Sequence, residues 1–289
     1  MSDVIALVFD LDDTLLPDST TMLLESKGID AERFWKVDAK ALLDQGYDPT
    51  IAYLNLILDN VGEKKPLGNL TIQELHAFGA TLEDKFFPGV YTLARDLRDL
   101  VKKISRDIAV ELYIVSGGLQ DIMDGSSFIK ETFEAVYGCQ FGADENGVLK
   151  KIKRTITFTE KTRYLFEINK GIRPPDTVSN QYLVNKFIPE GTRRVPFRNI
   201  IYVGDGLTDI PSFSLVQKNG GTAFGIFKPN EAASAKRAFL EFLKTGRVVG
   251  TYSPKFAEGE DLGGMIRAAV TTTASRIIID RGQAENRFL

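Results

Sequence analysis

The stretch VFDLDDTLLP, residues 8–17, decides how the chain reads, because it sets Asp10, Asp12 and Asp13 directly behind the apolar run VIALVF (4–9). A short run that is apolar throughout and rich in β-branched residues reads as a strand buried on both faces, as in a parallel sheet. Two unit charges about 4 Å apart at an effective dielectric near 20 repel by roughly 4 kcal/mol. Acids crowded at a strand end therefore imply a counter-charge, and a bound divalent cation supplies one. Oxygen donors alone favour Mg2+ over zinc, which prefers the imidazoles and thiols this chain nearly lacks: its only histidine is His76 and its only cysteine Cys139.

The same pattern recurs. VELYIVS (110–116), RNIIYVG (198–204) and GTAFGIF (221–227) are short apolar runs stopped by Gly, Ser or Asp. Helical periodicity lies between them, in VYTLARDLRDLVKKI, LQDIMDGSSFIKETF and EAASAKRAFLEFLKTG. Strands alternating with helices predict an α/β fold, a Rossmann-like doubly wound parallel sheet whose ligands bind at the carboxyl ends of the strands. Residues 17–86 break the alternation: they hold helical patterns without a strand, and PGV at 88–90 restarts the α/β pattern. The expected organisation is a core of residues 1–16 and 87–289 with an all-helical insert at 17–86. NG between alternating runs at 141–158 predicts a β-hairpin. Residues 171–198, with four prolines and little periodicity, predict an irregular excursion.

Composition narrows the function classes. At 289 residues and 43% hydrophobic content the chain buries a sizeable core. A formal net charge of −3 with scattered Lys and Arg leaves no basic stripe for a polyanion, so nucleic acid is not the expected partner. One cysteine forbids an intrachain disulfide and suits a reducing compartment. The apolar N-terminal run is too short for a membrane span and lacks a basic leader, which makes the cytoplasm the expected location and a membrane no expected partner.

The chemistry gathers at strand ends. IIYVGDGLTD places Asp205 behind a strand between two glycines, with Asp209 four residues on. YIVSGG offers the Ser116 hydroxyl and the N–H groups of Gly117 and Gly118 ahead of a helical pattern, an anion-binding arrangement. Lys161 opens the helical stretch KTRYLFEINKG and supplies a positive charge. Acids, a metal, an anion cradle and a lysine together describe a site for phosphoryl chemistry. Asp13 reads as a solvated or capping acid and Cys139 as a small apolar residue in a strand. His76 and Trp35 read as packing residues of the insert.

These residues, in this order, resemble the haloacid dehalogenase (HAD) superfamily in its phosphoserine-phosphatase-like branch. The first family motif stands here as Asp10, Asp12, Thr14 and Leu15, the second as Ser116, the third as Lys161, and the fourth as GDGLTD with Asp205 and Asp209. The helical insert matches the position of the cap domain in that branch. The resemblance implies a Mg2+-dependent phosphatase acting on a small phosphorylated metabolite. Asp10 would be the nucleophile and Asp12 the general acid and base. Asp10, Asp205 and the backbone carbonyl of Asp12 would hold the metal, with Asp209 nearby. Thr14, Ser116, Gly117 and Lys161 would bind the phosphoryl group. A phosphomutase or other phosphotransferase of the same fold is the alternative. A response-regulator-like phospho-acceptor protein fits less well, since it lacks an insert after the first strand, and a dehalogenase has no need of Asp12. Phosphoserine phosphatases carry an acid shortly after the first motif; here Ser19 takes that place beside Asp18. Phe34, Trp35, Tyr47 and Tyr53 are candidates for the inner face of the cap.

Overall fold

The computed structural model describes residues 3–286. Seven strands form one sheet in the order β4-β3-β2-β1-β5-β6-β7, with β1 (Asp3–Phe9), β2 (Ile108–Leu119), β3 (Ala135–Ala143), β4 (Leu149–Arg154), β5 (Ile200–Gly204), β6 (Thr222–Ile226) and β7 (Gly250–Tyr252). Every neighbouring pair is parallel except β3–β4, which is the hairpin expected around NG. Side chains alternate across a strand, so β1 feeds two cores at once. Val4, Ala6 and Val8 pack on one face with Tyr113, Val115 and Tyr202, under the helices Glu160–Lys170 and Ile210–Lys218. Ile5, Leu7 and Phe9 pack on the other, under the helices Val90–Ile104 and Asp261–Asn286. This double coverage is why the strand runs are apolar at every position.

The elements are longer or more broken than the patterns suggest. β2 runs through Gly117 and Gly118 to Leu119, with a register irregularity against β3 between Val115 and Leu119. The pattern LQDIMDGSSFIKETF divides into the helices Gln120–Met123 and Ser127–Thr132. EAASAKRAFLEFLKTG passes from an α-helix (Ala232–Arg237) into a π-helical turn (Ala238–Leu243). The edge strand β7 and the long terminal helix were not anticipated. Leu262, Ile266, Val270, Ala274 and Ile277 of that helix fall on one stripe and enter the second core. Residues 171–198 are a chain of short helical turns. The Arg194 guanidinium fastens this excursion to Glu111 of β2, with Nη1 donating to Oε2 at 2.7 Å.

Among the described residues, 17–86 hold helices and turns, chiefly Ser19–Ser26, Pro49–Asp59 and Ile72–Ala80, and one isolated bridge, Thr71 to Val148. Each of the three helices starts on a side-chain cap: Asp18, Asp48 and Thr71, the last in a reciprocal pair with Glu74. The chain leaves and re-enters the sheet side by side, since Phe87 N–H donates to Leu15 O at 2.8 Å. Leu23, Leu24, Phe34, Leu54, Ile57 and Leu75 extend the first core, whereas Tyr47 is exposed. No helix of the described residues is long and apolar enough to cross a membrane.

Two glycines explain why the pattern after β2 breaks. A Cβ on Gly79, in the helix Ile72–Ala80, would lie 1.9 Å from Ile122 O, and one on Gly125 would lie 2.1 Å from His76 O. The helix Ile72–Ala80 and the turn after Met123 thus meet backbone to backbone. Helix propensity alone would reward Gly79→Ala by about 1 kcal/mol. The expected outcome is the reverse, a loss of roughly 1–2 kcal/mol, because overpacking against fixed backbone costs more than propensity returns. Urea unfolding measures it; a variant as stable as the parent would refute the close approach.

Candidate active site

The sheet places the candidate residues at its carboxyl edge. Phe9 stands level with Ile114 of β2 and Val203 of β5, so the residues that follow β1 and β5, and those near the end of β2, converge. Asp10 N–H donates to Val203 O at 2.9 Å, and Asp10 Oδ1 accepts from Leu11 N–H at 2.8 Å. Lys161, in the first turn of the helix Glu160–Lys170, reaches under this edge. Its Nζ lies 2.8 Å from Asp10 Oδ2 and 2.7 Å from Asp209 Oδ1, and the side chain is 1% exposed. Burial works against its charge, but Asp10 and Asp209 outweigh that cost and hold the ammonium well above its ordinary pKa.

Asp209 is fully buried and held on both oxygens: Oδ1 also accepts from the Tyr202 hydroxyl at 2.7 Å, and Oδ2 accepts from Gly206 N–H at 2.9 Å. Gly204 serves close approach, since a Cβ there would sit 2.5 Å from Asp209 Oδ2. Carboxylate oxygens of Asp10, Asp205 and Asp209 lie within 4.8 Å of one another. Burial raises the Asp205 carboxyl well above the carboxylate range, with the charges of Asp10 and Asp209 adding to it. Burial likewise pushes Asp10 up to about 6 against the pull of Lys161, and Asp209 adds to the rise. Three carboxylates against one ammonium leave an excess of negative charge that a divalent cation matches, and the donors are all hard oxygens.

Asp12 sits across from this group. Its Oδ1 accepts from Ser19 N–H at 2.7 Å, at the start of the first helix of the insert. Burial, and after it the charge of Asp18, raise its carboxyl well above the ordinary value. A Cβ on Gly118 would lie 2.4 Å from Asp12 Oδ2, so the SGG glycine makes room for the acid. The Ser116 hydroxyl draws the Asp10 pKa down against burial and accepts from Gly118 N–H at 3.0 Å. The expected cradle of free N–H groups at a helix N-terminus is not built, because the strand continues and the helix that follows is one turn long. Thr14 Oγ1 is buried with no hydrogen-bond partner. A bare hydroxyl of this kind costs free energy until an acceptor arrives.

Asp13 departs from its expected role as a solvated acid. It takes a left-handed backbone, φ +55°, and its carboxylate is 2.6 Å from Lys228 Nζ. Cys139 lies buried in β3, its Sγ accepting from Ile156 N–H at 3.2 Å. Three participants escaped sequence reasoning. The Tyr202 hydroxyl had one signal, a phenol in an otherwise aliphatic buried strand. Lys228 had none, and Tyr53, expected only as a residue of the cap's inner face, donates its hydroxyl to Gly117 O, a contact with no sequence signal.

No family model matches the chain. An uncharacterized protein of Borreliella burgdorferi is 28% identical over 264 residues, covering 83% of this chain and 88% of that protein. Among solved structures, a probable phosphoserine phosphatase of Vibrio cholerae superposes with a TM-score of 0.54 at 16% identity, over 95% of this chain and 67% of that one. A HAD family hydrolase of Salmonella enterica serovar Typhi gives 0.51 at 14% identity, over 82% of this chain and 66% of that one. The chain therefore spans about two thirds of the length of either structure. Sheet order, the acids at the strand ends and these two likenesses agree: the chain is built on the HAD fold, a Rossmann-like α/β architecture.

Proposed function

We propose that the protein is a Mg2+-dependent phosphatase that hydrolyses a small phosphorylated metabolite through an aspartyl phosphate on Asp10. The observation that carries this reading is the buried Lys161 ammonium shared by Asp10 and Asp209 beside Asp205. Asp10, Asp205 and the backbone carbonyl of Asp12 would hold Mg2+, with Asp209 nearby, and the ion would neutralise charge on the phosphoryl oxygens. Asp10 attacks phosphorus, and the bond to the leaving oxygen breaks as Asp12 delivers its proton there. The raised pKa of Asp12 suits it to hold that proton before the attack. Asp12, now a carboxylate, takes a proton from the water that hydrolyses the acyl phosphate, which frees phosphate and restores Asp10. Thr14 and Ser116 donate hydroxyls to the phosphoryl oxygens, and Lys161 holds positive charge against the growing negative charge. The unpartnered Thr14 hydroxyl supports this assignment.

Residues 17–86 act in this reading as a cap that limits substrates to small esters and excludes bulk water. Tyr53 supports it, since its hydroxyl ties the insert to Gly117 beside Ser116. The buried Cys139 suits a reducing, cytoplasmic setting.

Phosphate release from an aryl phosphate, followed by a panel of phosphorylated metabolites, tests the proposal. Activity should require Mg2+, vanish in excess chelator and fall with Ca2+, whose larger coordination sphere engages both oxygens of the nucleophile. Full turnover after verified metal removal would sink it.

The raised Asp10 pKa sets a pH dependence. Between about pH 4 and 6 the folded, metal-free protein binds more protons than the unfolded chain, so its stability falls as pH rises through that window. A cation competes with those protons. Mg2+ should therefore raise the melting temperature more at pH 8 than at pH 5; equal shifts at both would contradict the assignment.

The two acids separate by substitution. Asp10→Asn should abolish turnover and covalent phosphate incorporation, while Asp12→Asn should retain metal binding and lose roughly 10²- to 10⁴-fold in rate. Wild-type turnover by Asp10→Asn would overturn the nucleophile. Tyr53→Phe removes one hydrogen bond of about 1 kcal/mol and should raise KM for metabolite esters roughly fivefold. An unchanged KM would remove Tyr53 from the closure.

A further inference from the structure

We infer that His76, Asp121 and Asp124 form a second divalent-cation site, of one nitrogen and two oxygen donors, that takes a transition ion such as Zn2+ or Co2+ and ties the helix Ile72–Ala80 to the turn after β2. Ligand atoms of all three residues lie within 4.8 Å of one another, and none belongs to the group around Asp10. His76 Nε2 lies 3.7 Å from Asp121 Oδ1, too far for a hydrogen bond. The atom is shielded from solvent and has no hydrogen-bond partner, although the His76 side chain as a whole is 43% exposed. An inaccessible imidazole nitrogen with no hydrogen bond, grouped with two carboxylates and at ion-pair distance from one of them, offers a donor to a cation. The exposed part of the ring marks the route by which an ion enters.

The donors are also held in place. The backbone contacts at Gly79 and Gly125 fix the helix that carries His76 against the segment that carries both acids. Asp121 is 7% exposed. Asp124 Oδ1 accepts from Gln120 Nε2 at 2.9 Å, and Gln120 Oε1 in turn accepts from Gly138 N–H at 2.9 Å and Arg154 Nη2 at 2.8 Å. Outer hydrogen bonds of this kind orient ligands and sharpen affinity. A mixed nitrogen and oxygen set suits zinc and cobalt, whereas the all-oxygen group around Asp10 suits Mg2+. Three protein donors leave a position for water.

The test uses the full chain, stripped of metal and held in excess Mg2+ so that the Asp10 group is satisfied. Co2+ and Zn2+ are then titrated, following the visible absorption of cobalt and the heat of zinc binding. The parent should bind one ion of either metal, with zinc displacing cobalt, and gain melting temperature with zinc. His76→Ala and Asp121→Asn should each bind roughly tenfold more weakly or worse and lose the thermal gain, with unchanged circular dichroism. If His76→Ala does not fold, Asp124→Asn carries the same comparison. A parent that binds neither ion, or variants that bind as tightly as the parent, would overturn the site and leave an ion pair between His76 and Asp121.

Discussion

A single buried ammonium organises this molecule. Lys161 lies between Asp10 and Asp209 with its charge withdrawn from water, and neither carboxylate could be buried so completely without it. Almost every local feature of the site serves that contact. β1 and β5 pair in register so that Asp10 follows one and Asp205 the other. The Tyr202 hydroxyl shares Asp209 Oδ1 with Lys161, Gly206 N–H binds Oδ2, and Gly204 lacks the Cβ that would exclude that carboxylate. Truncating Lys161 would leave two carboxylates to desolvate without compensation, so structure and chemistry rest on one residue.

The insert is bound to the core at several separate points. Ser19 N–H holds Asp12, the Tyr53 hydroxyl holds Gly117, Thr71 bridges to Val148, and Gly79 lies on the Ile122 carbonyl. The first two contacts touch the segments that carry the reaction in the proposed mechanism. Orientation of Asp12 and placement of the insert are thereby one variable rather than two.

Buried strands and strand-end acids could be read from the chain because both are local: an apolar run and a charge beside it are visible in ten residues. VIALVF (4–9) became β1 to within one residue, whereas RNIIYVG (198–204) starts two residues ahead of β5, in the turn that precedes it. β7 was hidden because a three-residue edge strand has no periodicity to detect. The terminal helix was hidden because its apolar stripe is narrow and interrupted by Thr and Arg. SGG looked like a strand terminus, since two glycines usually stop a strand; here the strand continues to Leu119, and Gly118 leaves room for Asp12. Asp13 looked solvated because its partner, Lys228, lies more than two hundred positions away. What escaped was long-range pairing, which no local window contains.

The contact between Lys161 and Asp10 spans 151 positions. During synthesis Asp10 emerges early, and the charge that stabilises it follows only after the insert and three further strands have been made. Asp205 and Asp209 come later still. A growing chain therefore carries its acids uncompensated and solvent-facing until Lys161 arrives, and non-local contacts of this length form slowly. The group of Asp10, Asp205 and Asp209 does not exist until β5 has taken its place beside β1. A ribosome-bound fragment that ends before residue 200 has β1 and Lys161 but lacks the strand that carries Asp205, so biosynthesis itself keeps the three acids apart until the sheet is nearly complete.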